Sequence, residues 1–223
     1  MNLDDLAERL HQALPQTQCQ RCGYPDCAGY AQAIALGTAG IHQCPPGGAE
    51  GIARLASITG RPALPLDPAC GRESPRTVAV IEEDACIGCT LCLKACPTDA
   101  ILGANKRMHT VIEPWCTGCE LCVPACPVDC ITLEDASGGA TGWQAWSTTQ
   151  AQESLVRYEW HQARQAREAR ENEERLEAKA LAKLADLPAQ THGGDDPASA
   201  EAARKRSVIE AALARARNQR RAP

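Results

Sequence analysis

The chain has no phenylalanine, 2 methionines and only 3% aromatic residues. A core built in the usual way from large apolar side chains would be thin. Long apolar runs are missing too: no stretch approaches the roughly 18 residues needed to span a bilayer. The start, Met1-Asn-Leu-Asp-Asp5, is acidic and leads into no apolar run, so it does not read as a secretory signal. No G-x-G-x-x-G fingerprint marks a nicotinamide or flavin site, and no residue set suggests substrate chemistry.

What the chain has is cysteine, 14 in 223 residues. Eight lie in two runs. The first is Cys86-Ile-Gly-Cys89-Thr-Leu-Cys92-Leu-Lys-Ala-Cys96-Pro97, and the second is Cys116-Thr-Gly-Cys119-Glu-Leu-Cys122-Val-Pro-Ala-Cys126-Pro127. Both fit C-x2-C-x2-C-x3-C-P, the two-cluster ferredoxin spacing, in which the fourth cysteine of each run ligates the other cluster. Cys86, Cys89, Cys92 and Cys126 are therefore expected to hold one [4Fe–4S] cluster, and Cys116, Cys119, Cys122 and Cys96 the other. Gly88 and Gly118 would let the backbone approach the inorganic core, and Pro97 and Pro127 would turn the chain away. Zinc ribbons use C-x2-C pairs well apart in sequence, which these compact runs do not resemble. Disulfides do not suit a chain without a secretory signal. The expected compartment is the cytoplasm, or the cytoplasmic face of the inner membrane as a peripheral protein.

Four more cysteines, Cys19, Cys22, Cys27 and Cys44, precede the runs. Gly23-Tyr24-Pro25 turns the chain between the second and third. Asp26 is placed to cap a helix running to about Leu36, whose dipole would favour a Cys27 thiolate. These four look like a third cluster site, although C-x2-C by itself also suits zinc. Cys70 and Cys130 have no motif partner and read as free or packed thiols.

Apolar spacing predicts a helix from Leu3 to Leu14, ended by Pro15, and another from Glu50 to Gly60. Short strands are expected at Val78–Ile81, Ile101–Leu102, Thr110–Ile112 and Ile131–Leu133, giving a pseudo-two-fold βαβ repeat. After the Ser137–Gly142 linker, Trp143 and Trp146 are expected to pack onto the ferredoxin unit. A long helix follows from about Ala145 to Leu187, with Glu171 and Arg175 a stabilising pair. Pro188 to Ala198 reads as flexible, and a last helix leads to Arg220-Arg221. The fold class is α+β: residues 1–60 an N-terminal cluster domain, 61–75 a proline-rich connector, 76–136 the ferredoxin domain and 137–223 a helical, partly disordered extension. Net charge is −5, with 9 basic and 16 acidic residues in 1–150 against 14 and 12 in 151–223. The acidic head would be steered toward basic docking faces.

The order of these features resembles a known family. An N-terminal Cys-x2-Cys-x4-Cys-x16-Cys element, the Pro65-Leu-Asp-Pro68 connector, Arg76-Thr-Val-Ala-Val-Ile81, Met108-His-Thr-Val111 and Cys126-Pro-Val-Asp-Cys130-Ile131 are similar to the B subunit of the Rnf/Rsx electron-transport complex. The resemblance covers about residues 10–135. It implies [4Fe–4S] ligation by Cys19, Cys22, Cys27 and Cys44, and a place in a membrane complex that couples electron flow between ferredoxin and NAD to ion movement. Members usually begin with a membrane-anchoring helix, which is not read here, so a variant without that anchor is expected. The expected function is electron relay through three [4Fe–4S] clusters, with turnover belonging to a complex and with redox proteins as partners. The alternative is a ferredoxin-like adaptor or regulator whose basic tail binds a partner or nucleic acid, of which nucleic acid is the less expected.

Overall fold

The computed structural model describes residues 2–187 and 197–221. It divides into two units, Met1–His161 and Gln162–Pro223.

The first unit opens with α1 (Leu3–Gln12), where Asn2 accepts the Asp4 N–H and Asp4 and Asp5 sit in the first turn. Helix α2 (Cys27–Ala35) starts at Asp26, which accepts from Gly29 N at 2.6 Å. Helix α3 (Gly48–Thr59) ends at Gly60 in the left-handed region, φ 69°. Leu10, Leu14, Tyr30, Ile34, Ile41 and Leu55 form the core of this part. Arg61, in the connector, donates to the carbonyls of Ile34 and Ala39 at 2.9 and 3.1 Å and so satisfies the end of α2.

Strands β1 (Thr77–Ile81), β2 (Ile101–Leu102), β3 (Thr110–Val111) and β4 (Ile131–Asp135) follow, with the short helix α4 (Leu91–Ala95) between β1 and β2. A βαβ reading implies parallel partners. The ladders are antiparallel instead: β1 pairs with β4, Thr77 opposite Asp135 and Ile81 opposite Ile131, and β2 pairs with β3. A parallel pair needs a long crossover, and the chain between β1 and β2 is occupied by the cysteine loop. The second half also lacks the counterpart of α4. Lys94 N donates to Thr90 O at 3.4 Å in α4; the corresponding residue is Pro124, which has no N–H to give Glu120.

Helix α5 (Gly142–Ala145) carries Trp143 and leads into Trp146. Both tryptophans pack against the N-terminal part, and Trp146 also lies by Arg76 of the ferredoxin unit, 5.2 Å from ring centroid to guanidinium carbon. Trp143 lies under Arg54 of α3, 3.7 Å from ring centroid to guanidinium carbon, and Trp146 donates to Pro15 O at 2.8 Å. Helix α6 (Thr148–Asp186) turns Ala151, Ser154 and His161 inward in its first turns.

In the second unit the rest of α6 carries i,i+4 ion pairs such as Arg164–Glu168 at 3.0 Å. The expected Glu171–Arg175 pair is replaced: Arg167 faces Glu171 at 3.8 Å, and Arg175 donates to Asn172 at 2.6 Å. Helix α7 spans Pro197–Arg221. The segment expected to be flexible lies outside the described residues from Pro188 to Asp196, whereas Pro197 and Ala198 already belong to α7. The side chains of Arg220 and Arg221 are also outside the described residues.

Candidate iron–sulfur centres

The N-terminal cysteines are organised by the loop between α1 and α2. Gln16, Gln18 and Gln20 adopt φ of 57°, 55° and 61°, a left-handed conformation at alternate positions. The buried amides of the first two are linked in a chain: Gln18 Oε1 accepts from Cys27 N at 2.9 Å, Gln18 Nε2 donates to Gln16 Oε1 at 3.0 Å, and Gln16 Nε2 donates to His11 O at 2.5 Å. The strained loop aims the Gln18 backbone N–H at the Cys27 sulfur. Sequence reasoning passed over these glutamines; their alternation between Pro15 and Cys22 was the available signal.

Cys19, Cys22, Cys27 and Cys44 stand within electrostatic reach: Cys19 opposes ionisation of Cys22, and Cys19 and Cys22 both oppose that of Cys27 and Cys44. The expected thiolate at Cys27 does not hold for the bare protein. Burial outweighs the Gln18 N–H and pushes this thiol up to about 12. Burial drives Cys44 well up as well. Cys70 sits close enough to raise Cys22, but it is only partly buried.

In the ferredoxin unit, Cys96 of the first run stands with Cys116, Cys119 and Cys122 of the second. The four line one cavity, closed by Ala79, Ala100, Ile101, Val111 and Leu133. Burial pushes Cys119 and Cys122 up to about 12, and Cys92 up to about 11 beside Cys89 and Cys86. Cys126 differs. Burial raises it, but the backbone N–H groups of Val128 and Cys130 and the Cys130 thiol together outweigh that and hold it below the ordinary value. Cys130, expected to be a bystander, is buried with its Sγ 3.4 Å from Cys126 Sγ, and it also reaches Cys86. The cross-run grouping thus recurs on the other side, with Cys126 linked through Cys130 to Cys86.

These surroundings fit iron–sulfur clusters. Buried sulfurs meet backbone N–H groups, and bound iron would hold as thiolates the groups that burial otherwise keeps protonated. Among the described residues no three His, Cys, Asp or Glu side chains close on a point as ligands of a single metal ion would.

Gly88 and Gly118 have φ of 68° and 69°, and a Cβ on either would meet backbone: Arg107 N at 2.5 Å for the first, Thr77 O at 2.5 Å for the second. Their close approach is to neighbouring chain, which locks each cysteine loop against a strand or turn. Thr90 and Glu120, φ 66° and 65°, and Asp99 and Asp129, φ 51° and 50°, repeat the same backbone in both halves.

The halves differ in what surrounds them. His109 is 1% exposed, and its Nδ1 lies 3.2 Å from Cys92 Sγ. Thr117 is buried and donates to Thr17 O at 3.0 Å, and Arg21 pairs with Glu120 at 2.6 Å, so the N-terminal loop covers the second cysteine loop. Ile87, the counterpart of Thr117, is 59% exposed.

A family described as "4Fe-4S dicluster domain" matches residues 79–133, and one described as "Putative Fe-S cluster" matches residues 14–46. The chain is 59% identical over 141 residues to the B subunit of the ion-translocating oxidoreductase complex of Azoarcus sp. (strain BH72), covering 63% of this chain and 77% of that protein. It is 51% identical over 160 residues to the protein of the same name from Stutzerimonas stutzeri (strain A1501), covering 72% of this chain and 82% of that protein. No solved structure matches the chain. At this identity and coverage, the chain belongs to the family of B subunits of Rnf-type ion-translocating oxidoreductase complexes.

Proposed function

We propose that the protein relays electrons through three [4Fe–4S] clusters: one held by Cys19, Cys22, Cys27 and Cys44, one by Cys116, Cys119, Cys122 and Cys96, and one by Cys86, Cys89, Cys92 and Cys126. The observation that most supports this reading is the cavity that gathers Cys96 with the second run, as the exchange of fourth ligands between paired clusters requires. Clusters bound there supply the one-electron chemistry; the chain supplies thiolates, amide donors and limited solvent access. The Thr117–Thr17 and Arg21–Glu120 contacts put the second-run site next to the N-terminal site. The order along the relay is then N-terminal site, second-run site, first-run site, with the last opening at Ile87. The protein itself is an electron carrier. Its partners are redox proteins, foremost the other subunits of a complex such as its relatives are named for. No helix among the described residues is long and apolar enough to cross a membrane, and association through those subunits is proposed.

The test is Cys27→Ser in the anaerobically loaded full chain. Its reduced electron paramagnetic resonance (EPR) spectrum should lose the N-terminal signal and keep the magnetically coupled ferredoxin pair. A spectrum unchanged from wild type would overturn the N-terminal assignment.

A further inference from the structure

The two ferredoxin half-sites have nearly the same sequence but not the same hydrogen-bond donors. At the second-run site two threonine hydroxyls stand near ligand sulfurs. Thr98 Oγ1 lies 3.8 Å from Cys96 Sγ, and Thr117 reaches Cys119. Each hydroxyl has one proton to give, and both are committed elsewhere: Thr98 donates to Trp115 O at 2.9 Å, and Thr117 to Thr17 O at 3.0 Å. The first-run site has two side-chain donors that are not spent. A thiolate sulfur can only accept, so His109 Nδ1, 3.2 Å from Cys92 Sγ, must carry the ring proton. That tautomer leaves Nε2, buried and without a partner, as a bare acceptor and avoids a stranded N–H. The Cys130 thiol, 3.4 Å from Cys126 Sγ, also reaches Cys86. Whichever sulfur it serves belongs to the same site, and Ala100 at the matching position of the repeat offers none.

A cluster gains negative charge on reduction, so donors to its sulfurs favour the reduced form and raise its potential. Resting on the three-cluster reading above, we propose that His109 and Cys130 hold the Cys86–Cys89–Cys92–Cys126 site at a higher reduction potential than the Cys96–Cys116–Cys119–Cys122 site. One electron passing between them, with no proton, is then drawn to the end that opens at Ile87. The same fold that repeats the ligands thereby gives the relay a direction.

The test is an EPR-monitored redox titration of the loaded full chain, with iron counted on every sample. Wild type should show two separated potentials for the ferredoxin pair. His109→Leu and Cys130→Ala should each lower the higher one and leave the lower in place. For His109→Leu the expected change is about tenfold in the ratio of reduced to oxidised cluster, or ~59 mV for a one-electron couple. His109→Asn and Cys130→Ser, which keep a donor, should restore most of it. If His109→Leu fails to load, Cys130→Ala carries the test, since a methyl is already accommodated at Ala100. Full loading with both potentials unmoved, or with only the lower one moved, would overturn the inference and leave the three-cluster reading intact. Fully loaded wild type saturating at about eight irons or fewer would overturn that reading itself.

Discussion

At the scale of single residues, burial and cysteine pull against each other. Cys27, Cys119 and Cys122 are pushed up to about 12 by desolvation. In the cluster-free chain the folded state therefore keeps protons that the unfolded state releases above the ordinary thiol value of 9.0. Stability is level below that value and falls as pH rises toward about 12. Urea midpoints of cluster-free protein should be lower at pH 10 than at pH 8, and loading with clusters should remove most of the slope. Equal midpoints in the cluster-free chain would contradict this. The cysteine spacing was open to reading because ligands near in sequence must share one loop. Other residues were hidden because their partners are remote: His109 meets Cys92 17 positions away, and Thr117 meets Thr17 100 positions away. Nothing in the composition of a β-strand edge says that its histidine will turn inward to a sulfur.

At the scale of elements, caps and breakers located the helices well. Asp26 and Gly60 bound helices where the sequence placed their ends, whereas α1 stops at Gln12, two residues short of the expected Leu14. The strands were found but not their pairing, because a two-residue strand carries no mark of its partner. The first turns of α6 were hardest to foresee. Their alanine- and glutamine-rich sequence suggests a solvated helix, yet Tyr158 donates to Asp26 at 3.0 Å, His161 meets Asp99 at 2.7 Å, and Arg157 stacks 3.4 Å over the Trp115 ring. These contacts strap both cysteine-rich parts from one helix face. A chain ending at His161 should match the full chain in urea stability of the first unit. One ending at Ser147 should be weaker by roughly 2–5 kcal/mol from the lost ring contact and charged hydrogen bonds. Equal stability of the two truncations would show that the strap contributes nothing.

At the scale of the whole molecule, scarcity of aromatic residues and abundance of cysteine are two sides of one design. The second core is formed by Ala79, Ile81, Ile101 and Ile131 together with buried cysteines. Side chains that small leave room for an inorganic centre to complete the packing. In the proposed relay the N-terminal loop covers the second-run site while the first-run site opens at Ile87, which would give an internal repeat a polarity. Family membership was legible from the order of motifs; the proposed polarity was not, because it rests on contacts between segments the repeat does not relate.

Everything proposed for the relay depends on one chain carrying three four-iron centres. Iron and acid-labile sulfide, measured on anaerobically prepared full-length protein, decide whether it does. About twelve of each per chain are expected. A saturated value of about eight, with Cys27→Ser unchanged from wild type, would contradict it.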